Sequence, residues 1–145
     1  MIGLMYTDAE HSSTEIGFVA TLPAFQRRKL TMEAIALLLN WTLSLPSQGG
    51  LGLRRVVWRA APENVASNGV AQRMGFKKEV VSRYGRLFPF GRGGRLGRDG
   101  EPEDFRGKGS RDVVAYAVCW DDWENEVKQK VEGVLGSHCI LEARD

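Results

Sequence analysis

Apolar positions along the chain follow two periods. Residues 2–7 and 14–21 read as strands, with the polar stretch 8–13 as their hairpin loop and Pro23 ending the second. Residues 31–45 carry Met32, Ile35, Leu38, Leu39 and Trp41 at helical spacing, a wide apolar face that Thr31 can cap. The run 46–50 (Pro, Ser, Gln, Gly, Gly) stops that helix. Residues 54–60 return to a period of two. Val56, Trp58 and Ala60 fall on one side, Arg55, Val57 and Arg59 on the other. A turn at 61–64 leads into a short helix with Ala66, Val70 and Met74 on one face, Asn64 as its cap and Gly75 as its terminal glycine. Residues 76–88 predict a strand, 112–120 a strand buried on both faces, and 121–134 a polar helix. The order indicates a mixed α/β sheet flanked by helices. A single domain is expected over 1–135, with a Gly/Arg-rich loop inserted at 89–111 and a frayed tail at 136–145.

Composition narrows the class. The 145 residues are 43% apolar and 26% charged, with a net charge of +2. That is the mix of one globular domain, without the bulk charge of a polyanion-coating protein. The longest apolar run, 34–39, is far short of the ~18 residues a membrane span needs. Cys119 and Cys139 cannot build a disulfide framework, and His11 and His138 leave little for a metal site, so no metal is expected. A chain with no leader and two thiols is expected in the cytoplasm.

Two segments carry candidate chemistry. In Gln26-Arg27-Arg28-Lys29-Leu30-Thr31, three cations precede a helix start. Each opposes the helix dipole by roughly 0.3–1 kcal/mol. Free N–H groups beside cations make a phosphate seat, and a solvated basic turn is the other reading. In the second segment Asn64 and Ser67 share a face in the first turn of the short helix. They are a cap and a polar neighbour, or a pair aimed at a ligand.

Together these segments resemble the GNAT N-acetyltransferase superfamily, most closely its RimJ/RimL-like branch. The resemblance rests on Glu15-Ile16-Gly17, Pro23-Ala24-Phe25-Gln26, Glu33-Ala34, Asn64 with Ser67, Gly75-Phe76 with Glu79, Arg111-Asp112 and Trp123. It spans roughly residues 2–123. It implies a mostly antiparallel GNAT-like sheet and acetyl-coenzyme A as cosubstrate. By the family pattern, backbone at Ala20 and Thr21 would pair with the pantetheine arm. The stretch Gln26, Arg27, Arg28, Lys29, Leu30 and Thr31 would hold the pyrophosphate. Asn64 would bond the pantetheine or a water, and Ser67 would protonate the leaving thiolate. A primary amine, on a protein N-terminus or a small molecule, would attack the thioester directly. Glu15 and Glu79 are substitutes for the base.

The chain departs from the pattern at four places. Lys29 and Thr31 stand where the phosphate loop usually has glycine or another small residue, Ala71 where many members have a tyrosine, and Arg86 where the branch has an acid. The family also places a strand, two helices and a further strand ahead of the Glu-Ile-Gly hairpin. On that pattern some ~60–90 residues are expected to be missing, leaving a sheet edge that favours a homodimer. The alternative function is a non-catalytic GNAT scaffold serving as a coenzyme-binding or interaction module. The Gly/Arg loop is expected to be a solvated insertion, and nucleic acid is not the expected partner.

Overall fold

The computed structural model describes residues 1–88 and 93–136. The expected tail, with His138 and Cys139, lies outside the described residues, as do Pro89 to Arg92 of the expected loop.

Among the described residues five strands form one sheet in the order β1-β2-β3-β5-β4. They are β1 (Gly3–Asp8), β2 (Ser13–Gly17), β3 (Arg55–Ala60), β4 (Lys77–Leu87) and β5 (Ser110–Cys119). Only β2 and β3 run parallel; the other pairs are antiparallel. The crossover from β2 to β3 is α1 (Leu30–Leu43), and α2 (Val65–Arg73) leads from β3 to β4. After β5 the chain forms α3 (Trp120–Asp122), a π-helical turn (Trp123–Val127) and α4 (Lys128–Gly136). A mixed, mostly antiparallel sheet flanked by helices is what the sequence pattern predicts.

One core holds these elements together. Ile35, Ala36 and Leu39 of α1, Ala71 of α2 and Met74 at its end pack with Val56, Trp58, Val114, Tyr116 and Val118 of the sheet. Trp123, Val127 and Val131 close it, all fully buried. Leu and Ile side chains buried this way contribute about 1.5–3 kcal/mol each. Val57 and Ala117 face the other way and are paired in register. Two ion pairs, Glu15–Arg59 and Arg55–Glu79, stand on residues flanking them.

Several predicted boundaries move. The ladder of β2 ends at Gly17, not at residue 21, because Phe18 takes a left-handed φ of 52°. The cap of α1 is Lys29, also left-handed, while the Thr31 hydroxyl bonds Thr21 Oγ1 at 2.6 Å instead. α1 ends at Leu43, since Ser44 is already extended. Gly75 does terminate α2, with φ 90°. β5 begins at Ser110, two residues before the expected strand, and Arg95 bridges to it from the loop. The loop also contains a 3-10 turn at Glu103–Phe105.

Candidate active site

The site forms where the two parallel strands separate. Their register runs Ser13↔Arg55, Thr14↔Val56, Glu15↔Val57 and then stops. Phe18 turns the following residues away from β3. Met1 holds them toward β1: its amine donates to Ala20 O at 2.6 Å, and Ala20 N donates to Met1 O at 2.8 Å. The gap is a cleft of about 300 Å³. Val19, Thr21, Gln26, Arg27 and Thr31 line one side, and Trp58, Asn64, Ser67 and Val70 the other. An adjoining hollow of about 270 Å³ includes Ala20, Leu22, Phe25 and Leu30.

The loop into α1 has the shape of an anion seat. Arg27 (φ 63°) and Lys29 (φ 62°) are left-handed on either side of Arg28. Such alternation turns successive N–H groups into one concavity. Lys29 therefore adopts a glycine conformation without being glycine, at a cost of roughly 1–2 kcal/mol. Gln26 Nε2 donates to Thr21 O at 3.1 Å and ties the loop to the strand extension. The Arg28 guanidinium lies 5.7 Å from the centre of the Phe25 ring.

Asn64 and Ser67 are set by the start of α2. Asn64 Oδ1 accepts from Ser67 N at 3.1 Å, an ordinary N-cap. Ser67 Oγ accepts from Trp58 Nε1 at 3.0 Å. An indole nitrogen can only donate, so the Ser67 proton is left for another acceptor. Sequence reasoning placed Trp58 on one face of its strand, with Val56 and Ala60, and missed this role. The available signal was that a buried indole N–H needs a partner.

Of the expected site residues, the cleft brings together Thr21, Gln26, Arg27, Thr31, Asn64 and Ser67. Glu15 is buried beneath the splay and engages Arg59 of β3. Glu79 engages Arg55, whose hydrogen bond holds its carboxyl below the usual range. Among the described residues one group with metal-ligand chemistry comes together: Cys119, Asp121 and Asp122. The two Asp122 oxygens are taken by Lys77 and by Cys119 N–H. Burial raises the Asp122 pKa, but those two donors outweigh it and leave the carboxyl lowered.

Comparison with known proteins agrees with this architecture. The acetyltransferase (GNAT) domain model matches residues 1–77. The chain belongs to that family. No curated protein matches. A GCN5-related N-acetyltransferase from Brucella melitensis superimposes with a TM-score of 0.68 at 23% identity, covering 92% of this chain and 50% of its own. A GNAT-family acetyltransferase from Bacillus anthracis gives 0.59 at 21%, covering 83% and 57%. Mutant forms of the spermidine/spermine N-acetyltransferase SpeG from Vibrio cholerae give 0.62 at 18%, covering 86% and 60%. The chain thus spans half to three fifths of the length of these structures. Among the described residues, no helix is long and apolar enough to cross a membrane.

Proposed function

We propose that this chain transfers the acetyl group of acetyl-coenzyme A to a primary amine by direct attack, as a RimL-like member of its family acting in the cytoplasm. The observation that carries the reading is the Ser67 hydroxyl, held by Trp58 with its proton free, facing the phosphate seat across one cleft. The cosubstrate supplies an activated acyl carbon and a leaving thiol. The residues fit it: left-handed backbone and cations at 26–31 suit a pyrophosphate, and a narrow trough between diverging strands suits an extended arm. Arg27, Arg28 and Lys29 supply charge, and the N–H groups of 27–31 supply direction; that of Gln26 already donates to Pro23 O. Val19 and Thr21 take the backbone pairing, since Met1 already engages both groups of Ala20.

Ser67 Oγ gives its proton to sulfur as the C–S bond breaks and the N–C bond forms. The proton shed by the amine nitrogen returns to Ser67 through water, so the products are an amide and a thiol. Asn64 fixes the first turn of α2 and so the position of Ser67. Glu15, opposite Val57 at the last register position before the splay, is held by the Arg59 guanidinium.

The test is thiol release from acetyl-coenzyme A with a panel of primary amines, for the wild type and Ser67→Ala. Turnover falling by about 10²-fold or more in the variant, with coenzyme affinity kept, supports proton donation. Coenzyme binding without turnover of any amine favours the alternative, a coenzyme-binding module.

A further inference from the structure

Away from the cleft, one cross-strand pair is unfavourable as it stands. Arg86 of β4 and Arg111 of β5 are direct partners in the antiparallel register, so both project from one face of the sheet. Both guanidiniums also lie against a single ring: Arg111 Cζ is 4.7 Å and Arg86 Cζ 5.9 Å from the centre of Phe88. One stacked cation would cover that ring. The second places like charges opposite each other, which destabilises a strand pair.

Several other cations of the described residues carry ion pairs, although Lys78 and Arg83 of β4 do not. Lys77 is engaged by Asp122 and Glu126, Arg95 by Asp112, and Arg106 by Glu103. Among the described residues Arg111 has only Glu63, 3.6 Å from its Nε. Arg86 makes no ion pair among the described residues. Two planar guanidiniums held on a common ring, with donors left over, have the composition of a bidentate oxyanion site.

Position gives the pair a use. Glu63, which Arg111 approaches, precedes Asn64, and Asn64 lines the cleft. Val114, three residues on from Arg111, pairs with Ala60 at the end of β3 that leads into that turn. The two arginines therefore stand at the cleft end of the sheet.

We propose that Arg86 and Arg111 clamp a carboxylate or phosphate carried by the acceptor, so the acceptor is an amine bearing an oxyanion rather than a polyamine. The clamp follows from the arginine pair alone. Its assignment to the acceptor rests on the acetyl-transfer reading, and the experiment separates the two.

Thermal unfolding is followed with inorganic phosphate and, separately, glutarate, for the wild type, Arg86→Ala, Arg111→Ala and Arg98→Ala. Phosphate also suits the seat at 26–31, so the difference between wild type and Arg86→Ala is the reading. The clamp predicts a saturable rise in melting temperature that shrinks in Arg86→Ala and Arg111→Ala and persists in Arg98→Ala. Without anion, Arg86→Ala should melt no lower than wild type, because removing it relieves repulsion; a purely structural arginine would lower it. The larger response, to phosphate or to glutarate, identifies the preferred oxyanion. An equal shift in all four proteins, or none, overturns the clamp.

Transfer is then compared for O-phosphoethanolamine, β-alanine, ethanolamine and spermidine. At least one anionic amine should exceed ethanolamine by about tenfold in kcat/KM, falling toward parity in Arg86→Ala. Preference for spermidine or ethanolamine overturns the acceptor assignment. No turnover of any amine, with the Arg86-dependent shift intact, removes the transfer reading and leaves an anion site.

Discussion

Trp58 Nε1 and Ser67 Oγ lie 3.0 Å apart, joining β3 to the first turn of α2. Because the indole can only donate, this bond fixes which way the serine proton can point. Ser67→Ala should therefore act twice. It should reduce acetyl transfer, and it should leave a buried N–H without a partner, at a cost of about 1–3 kcal/mol in stability. Adding Trp58→Phe should recover part of that stability and none of the rate. Urea unfolding of the two single variants and the double variant measures the coupling.

Lys29 occupies a left-handed position that glycine holds without strain. Lys29→Gly should raise stability by about 1 kcal/mol while keeping the loop shape. Coenzyme affinity should fall only by the loss of one cation. A variant that unfolds more easily would show that the lysine side chain, not the backbone, maintains the loop.

Gly75 combines a positive φ with close packing. A Cβ there would lie 2.8 Å from Val127 Cγ2 of the π-helical turn. Gly75→Ala should destabilise by more than about 1 kcal/mol, through backbone strain and overpacking together. The melting temperature reads this directly.

These two positions also show what the sequence could and could not reveal. Helix α1, the Asn64 cap and the glycine at 75 follow from spacing and composition. So does the strand pattern of Val56, Trp58 and Ala60. Alternation of apolar residues does not encode the φ of Phe18, so β2 was expected four residues too long. It likewise gave no sign that Lys29 would cap α1. Helical periodicity predicts α-helix around Trp123 and misses the π-helical turn. The ion pairing of Glu15 and Glu79 depends on strand neighbours that only the sheet order defines. The opposition of Arg86 and Arg111 depends on a register shifted by the irregularity between Ser82 and Arg86.

Acid should expose the Arg55–Glu79 pair. The hydrogen bond from Arg55 holds Glu79 below its ordinary value of 4.5. A carboxyl lowered in the folded state contributes stability that is present above its unfolded value and lost as pH falls through the folded one. Glu79→Gln should be less stable than wild type at neutral pH, with the difference shrinking below about pH 4. Melting temperatures from pH 7 to pH 3 test this. A constant difference over that range would mean the pair contributes through packing instead of charge.

The cleft between β2 and β3 either takes the coenzyme or it does not. Calorimetric titration of acetyl-coenzyme A into the wild type and into Arg27→Glu/Arg28→Glu decides this directly. Micromolar binding to the wild type, weakened at least about tenfold by the charge reversals, is the predicted result. No heat and no thermal shift at millimolar coenzyme, or equal binding to both proteins, would contradict a coenzyme seat at residues 26–31.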